Sequence, residues 1–477
     1  MTTHAAQLLG PPLRRPLVSL FLAALTLRLL VFGYIAHDPR KFYTYDSDGY
    51  DRRALNLLRY GQLASEAAPP LTPDLDRTPL YPLFLAAVFG VGGHSPWLAM
   101  LIQLLLGSLT PVVLYLLARE LALPPMAGLA AGLIVALDPV SAMNANRMLT
   151  ETIFTLLLVT GLWLLARYWR TLDWRAVLGS AVVLALAALM RPISQFLPIV
   201  LLPLFAVVWR KAGWRSALGG GAVFIALSLA LTYSWAYRNY QVAGVFTLST
   251  ISDTNLIFYR ARAVLADVEN ISQDEAWARL EQQMNSAVAA QGLSTAETVA
   301  LQREMALGIF RAHPGATLKM LTLGVARILV DPGYTITCTL LDQTSTAFEC
   351  FPGKSTMNEP SMLGKALGRV GQMGPAQLFA LAWSATLLCV VYLGAVVGGV
   401  RLLRERRWLA LALLLVVSGY FIGLAAGAES NSRFRVPVLP GVALLAGCGL
   451  ALLPFGRRAQ GRAKVATPAS TNAEQRP

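Results

Sequence analysis

Apolar runs long enough to cross a bilayer recur along almost the whole chain of 477 residues, and nothing else in the sequence limits its fold as severely. A hydrocarbon core offers no water to backbone N–H and C=O groups, so each run must close its hydrogen bonds internally, as a helix does. Hydrophobic residues make up 55% of the sequence and charged residues 14%, with a mean hydropathy of +0.54. A soluble chain of this length carries nearly twice that charge. The expectation is an all-α polytopic membrane protein. Ten spans are expected at about 16–36, 97–118, 124–143, 150–166, 175–190, 193–209, 216–237, 376–400, 408–427 and 436–454. The first run, Leu17 to Ile35, is too long for a signal-peptide core and reads as a retained helix.

Basic residues orient these spans. Short segments around Arg14/Arg15, Arg119, Arg167–Arg175, Arg210–Arg215, Arg401–Arg407 and the tail from Arg457 hold 18 Lys and Arg, against four (Arg147, Arg191, Arg433, Arg435) in the opposing short loops. The positive-inside rule then puts both termini in the cytoplasm of a bacterial inner (plasma) membrane protein. The net charge of +14 is mostly this orientation signal, so nucleic acid is not expected as a partner. Four regions follow: 1–237, a transmembrane module with a first external loop at 37–96; 238–375, an extracytoplasmic region; 376–455, the last spans; and 456–477, a disordered cytoplasmic tail.

The first external loop opens with "YTYDSDGYDRRALNLL", the densest acidic cluster in a chain that otherwise avoids charge. Asp46 and Asp48 lie just beyond the first span. Other ionisable residues map to the same side: Glu151 in "RMLTETIF", Arg191 in "ALMRPISQ", Arg238 at the start of the large loop, and Glu429, Arg433 and Arg435 in "AESNSRFRVPVLP". Charge beside a membrane is costly unless it pairs or works, and a shared side suits one outward-facing cavity. Each residue also has a plainer reading. Asp46 and Asp48 suit the N-terminus of a helix beginning near Tyr50, Glu151 suits a first turn, and Arg433 and Arg435 suit headgroup anchors. Arg28 suits snorkelling or a carboxylate pair, and Asp51, Arg52 and Arg53 read as a solvated helix face. "DSD" also matches the D-x-D signature that holds a divalent metal against a diphosphate, but three residues alone carry little information. No cofactor is required on the favoured reading. Cys389 and Cys448 fall in spans as small apolar residues. Cys338 and Cys350 flank "TLLDQTSTAFE" in an external loop where an oxidising compartment permits a disulfide.

The order of "DSDGYDRRALNLLRYGQL", "RTPLYPLFLAAVFG", "LTETIF", "LMRPISQFLP", "WAYRNYQVAGVFTLST", "HPGATL" and "SRFRVPVLPGVALLAG" resembles the GT-C superfamily of polyprenyl-phosphate-sugar-dependent glycosyltransferases. The likeness covers about residues 16–455 and is strongest to the bacterial branch similar to protein mannosyltransferases and aminoarabinose transferases. Many relatives have Asp-Glu where this chain has Asp46-Ser47, and the external loop here is modest. The resemblance implies a GT-C-like bundle of about 10 (9–13) transmembrane helices with juxtamembrane helices in the first external loop. It implies a polyprenyl-phosphate-linked sugar donor and a lipid, glycan or protein acceptor, met among membrane lipids on the outer face. It makes Asp46 the general base, with Asp48 as runner-up and Glu151 orienting the acceptor or sharing the base role. Arg191, Arg238 and Arg433 become phosphate binders, and Arg435, Tyr50 and Tyr81 substrate contacts, with no metal in the site. A transporter or lipid flippase, or a noncatalytic envelope-assembly subunit, is the competing class. Neither the paired repeats nor the mid-span charges of a transporter are evident.

Overall fold

A computed structural model describes residues 11–341, 371 and 373–452. Regular structure among them is helical, with no strand. The first helix, α1 (Pro11–Ile35), leads to the segment expected to be external, which carries α2 (Tyr45–Tyr60) and α3 (Leu80–Gly92). A bundle follows: α4 (Pro96–Gly107), α5 (Thr110–Glu120), α6 (Pro125–Ala136), α7 (Pro139–Ala145), α8 (Glu151–Thr171), α9 (Trp174–Met190) and α10 (Ala206–Ala243). The second region expected to be external holds α11 (Arg262–Glu269), α12 (Gln273–Gln291), α13 (Thr295–Ala312), α14 (Pro314–Val330) and α15 (Tyr334–Leu341). The chain closes with α16 (Pro375–Arg404), α17 (Trp408–Ala425) and α18 (Leu439–Leu450).

Six helical runs are long and apolar enough to cross a membrane among the described residues, or seven if the bent pair α6 and α7 is one span. The ten expected segments are helical over their described residues, but five lie in helices that change the count. The pair α6/α7 bends by 55°, because Asp138 leaves the helix to accept the Ser141 N–H at 2.7 Å and Pro139 starts the next turn. Helices α9 and α18 are apolar but short. The two spans expected at 193–209 and 216–237 run together as Pro192–Ala243, 52 residues long. As one straight helix that run would reach about 78 Å, far beyond a hydrocarbon core of about 30 Å. It is broken at Gly213, whose φ of +81° is outside the helical region and open to glycine at little cost.

The bundle packs by close helix approach. A Cβ on Gly398 would stand 1.8 Å from the Leu445 carbonyl oxygen of α18, and one on Gly449 2.2 Å from that of Gly394. These glycines bring α16 and α18 together along small residues, as membrane helices require in the absence of a hydrophobic driving force. Arg28 in α1 does not snorkel: it is 3% exposed and donates to the Ala24 and Ala136 carbonyls at 3.0 and 3.4 Å.

Two readings of the first external loop change. Helix α2 begins at Tyr45 behind Thr44, whose N–H is taken by Ser47 Oγ at 2.9 Å. Asp46 and Asp48 are therefore first-turn residues, not caps. Asp51 and Arg53 are buried and only Arg52 of that trio is exposed. Arg53 pairs with Asp74 at 2.5 Å, and Asp51 accepts from His94 at 2.9 Å. Cys350 lies outside the described residues, so the cysteine pair expected in the external loop does too.

Candidate active site

Hydrogen bonds between distant segments assemble the site one loop at a time. The Met148 N–H donates to the Phe42 carbonyl at 2.8 Å, Arg147 Nη1 donates to the Tyr43 carbonyl at 2.6 Å, and Ser47 Oγ donates to the Met148 carbonyl at 2.9 Å. The start of α2 is thereby clipped onto the turn before α8, and Asp46 is set beside Glu151. Thr78 Oγ1 donates to the Met190 carbonyl at 3.1 Å, which ties the loop bearing Arg77 to the end of α9, just before Arg191. Asn431 accepts the Arg433 N–H at 2.9 Å, and Asp331 the Ser432 N–H at 3.0 Å. These bonds hold the turn before α18 that carries Arg433.

The result is a continuous run of five charges. Arg77 Nη2 donates to Asp46 Oδ1 at 2.9 Å, and Arg433 Nη1 to Asp46 Oδ2 at 2.8 Å. The Nε of Arg433 reaches Glu151 Oε1, which also accepts from Arg191 Nη1. Arg191 touches Thr150 Oγ1 at 3.3 Å and lies over the Phe154 and Phe434 rings. Three guanidiniums and two carboxylates leave a local charge of +1. Glu151 is wholly buried, whereas the Asp46 side chain is 27% exposed and reachable from outside the protein.

The electrostatics of Asp46 combine opposing effects. Burial pushes its carboxyl up, but Arg433, Arg77 and Arg191 together outweigh burial and hold it below the usual carboxylate range. Asp46 is thus an anion at neutral pH. The Arg433 guanidinium is pushed down by burial and, more strongly, up by Glu151 and Asp46.

The other sequence candidates stand elsewhere. Asp48 is exposed. Lying two residues from Asp46 on one helix, it faces a different direction. Among the described residues, no group of three His, Cys, Asp or Glu side chains is placed to hold one. Tyr50 and Tyr81 are buried, their rings edge-to-face at 5.0 Å. Tyr81 donates to Gln103 Oε1 at 2.8 Å, and Tyr50 lies beneath the Arg77 guanidinium at 5.5 Å. The two tyrosines form a floor under the charged run. Arg238 donates to the Asp74 carbonyl at 2.8 Å and stacks on Trp235, bracing the loop that bears Arg77. Arg435 is buried and donates to the Ile328 and Asp331 carbonyls at 2.9 and 2.7 Å, at the end of α14. Glu429 pairs with Arg260 of the second external region at 2.8 Å.

Arg77 is the member of the run that sequence reasoning missed. It sits in "DLDRTPLYP", where prolines erase any periodic signal. It opens the piece "RTPLYPLFLAAVFG" quoted for the resemblance, but nothing there singled out the arginine beyond its being a basic residue among acids.

Residues 76–235 match a family model described as dolichyl-phosphate-mannose-protein mannosyltransferase. A search of curated proteins finds no match. Among solved structures, the archaeal oligosaccharyltransferase AglB from Archaeoglobus fulgidus, in complex with an inhibitory peptide and a dolichol-phosphate, is similar at a TM-score of 0.52 and 14% identity. The similarity covers 96% of this chain and 52% of that one. The apo form of the A. fulgidus oligosaccharyltransferase gives 0.50 and 12%, over 95% and 53% of the two chains. ArnT from Cupriavidus metallidurans, bound to undecaprenyl phosphate, gives 0.37 and 16%, over 93% and 78%. The present chain thus spans about half the length of the archaeal enzyme. The chain shares the fold of that enzyme, and its residues 76–235 match the mannosyltransferase family model.

Proposed function

We propose that this protein is an integral-membrane inverting glycosyltransferase. It moves a sugar from a polyprenyl-phosphate donor to a hydroxyl of a lipid, glycan or protein acceptor. On this reading both termini are cytoplasmic and Asp46 faces the extracytoplasmic side of a bacterial inner membrane, as the excess of 18 over four basic residues in the opposing short segments supports.

One observation carries the reading: an ionised, partly exposed carboxylate stands beside three arginines whose summed charge it does not cancel. An acceptor hydroxyl is a poor nucleophile, and Asp46 takes its proton as the new O–C1 bond forms. The C1–O bond to phosphate breaks with its electron pair, and the polyprenyl phosphate leaves. A phosphate is weakly basic and needs no acid. It needs positive charge, which Arg433 and Arg191 supply as preorganised forks held by Glu151. A single displacement through an oxocarbenium-like state inverts the anomeric centre, by analogy with inverting glycosidases. No metal is needed on this route.

Purified protein in liposomes, given radiolabelled polyprenyl-phosphate sugars and a mixed acceptor extract, tests it. Label passing to a hydroxyl-bearing product is the expected result, with Asp46→Asn lowering turnover by about 10²–10⁴-fold while remaining monodisperse. Full turnover in that variant would remove Asp46 as the base. Label crossing the bilayer without transfer would make the protein a transporter.

A further inference from the structure

The donor-free site presents a chemical difficulty. Each oxygen of Asp46 is already engaged, Oδ1 by Arg77 at 2.9 Å and Oδ2 by Arg433 at 2.8 Å. A carboxylate so clamped is a weak base, and the N–H groups that Arg77 and Arg433 spend on it are not offered to a phosphate. The two defects share one remedy.

We infer that Arg77 is a phosphate ligand which, together with Arg433, exchanges Asp46 for the donor phosphate, so that the carboxylate is released as a base only when donor is bound. This rests on the transferase reading and adds to it a residue and an order of events.

The surroundings of Arg77 fit such an exchange. Its backbone is fixed: the N–H donates to Asp74 Oδ2 at 3.0 Å, Asp74 is pinned by Arg53 at 2.5 Å, and the next residue is tied to Met190. Its guanidinium rests on the Tyr50 ring at 5.5 Å, a flat support that leaves the N–H edge free to change partners in plane. The Arg77–Asp46 pair is 19% and 27% exposed, so an incoming anion can reach both. The inner pair differs: Glu151 is 0% exposed and stays as the fixed counter-ion of Arg433 and Arg191. The run therefore holds one exchangeable carboxylate and one permanent one. Swapping one anion for another leaves neither arginine unpaired at any stage. The donor is a phosphodiester with one negative charge, while the departing monoester carries nearly two near neutral pH. The same two arginines therefore grip the phosphate harder as the C1–O bond breaks. Without donor, Asp46 stays clamped and does not activate water or a stray hydroxyl.

The sharpest test needs no acceptor. Binding of undecaprenyl phosphate to detergent-solubilised protein is compared between wild type, Asp46→Asn, Arg77→Gln and the double variant, with undecaprenol as the phosphate-free control. Removing the competing anion should tighten phosphate binding on the order of tenfold in Asp46→Asn. Arg77→Gln should weaken it by a similar factor. In the double variant the gain from Asn should shrink, because one of the two contested contacts is already gone. Undecaprenol should bind all four proteins alike. Unchanged or weaker phosphate binding in monodisperse Asp46→Asn would overturn the exchange while leaving the base role to the turnover assay. Normal phosphate affinity in Arg77→Gln would overturn the assignment of Arg77. Failure of wild type to prefer undecaprenyl phosphate over undecaprenol would instead overturn the donor reading itself.

Discussion

Glu151 and Asp46 share Arg433, yet their surroundings assign them opposite sensitivities. Glu151 is wholly buried, with Oε1 accepting from both Arg433 and Arg191 and Oε2 buried without a hydrogen-bond partner. In Glu151→Gln the amide oxygen still meets both guanidiniums, but as a neutral acceptor. Bonds to a charged partner are worth about 1.5–3 kcal/mol each, roughly twice their neutral equivalents. Losing half of two such bonds costs about 1.5–3 kcal/mol, and the new NH2 group occupies the unpartnered position. Complete removal in Glu151→Ala leaves two arginines facing an uncompensated site, a loss of about 3–5 kcal/mol.

Asp46, with 27% of its side chain exposed and partners 19% and 23% exposed, lies in the range where water screens the pair. Its substitution by Asn should cost only about 0.2–1 kcal/mol of stability. Thermal unfolding in detergent, read by the fraction surviving size-exclusion chromatography, gives the stability order. The transfer assay gives the turnover order. Glu151→Gln should be clearly the less stable variant, and Asp46→Asn the less active. A Glu151→Gln protein as heat-resistant as Asp46→Asn would refute the view that one carboxylate braces the site and the other works in it.

Two further outcomes follow from the same geometry. Arg53→Ala strands Asp74, a pair of which each side chain is 5% exposed or less, so it should destabilise the fold by about 3–5 kcal/mol. Because Asp74 also holds the Arg77 backbone, phosphate affinity should fall as well, which the binding assay above would register. Membrane-impermeant thiol reagents should label cysteines placed near Asp46, within Gln273–Gln291 and beside Ser430 in intact cells. They should reach sites beside Arg170, Arg404 and Lys464 only after permeabilisation. External labelling at Lys464 with none near Asp46 would invert the proposed orientation.

How far the site was legible in the sequence depends on what kind of signal each residue carries. Span-length apolar runs mark themselves, because a bilayer leaves the backbone no alternative to helix. An ionisable residue at the end of such a run marks itself too, because its position is costly. Asp46, Glu151, Arg191 and Arg433 could therefore be singled out on one side of the membrane, and they are the four that the fold brings together with Arg77. Arg238 and Arg435 carried the same mark and stand apart, bonded to backbone carbonyls. The mark reports that a charge has a partner, not whether the partner is a carboxylate or a helix end.

Residues whose meaning depends on a distant loop were misread or unseen. Arg53 looked solvated because its partner Asp74 is 21 residues away in a stretch without periodicity. Arg77 was invisible because it gains its role only when Thr78 docks on Met190, 112 residues downstream. The Asp138-Pro139 step alters helix direction inside the run expected at 124–143 without a matching change in hydropathy, whereas the break at Gly213 falls in the charged stretch between the two spans expected there. In this protein hydropathy placed the helices around the site, and side-chain bonds to backbone carbonyls across loops (Ser47 to Met148, Thr78 to Met190) set which charges meet there. Those bonds join residues 101 and 112 positions apart, and no periodicity in a single sequence encodes a pairing at that range.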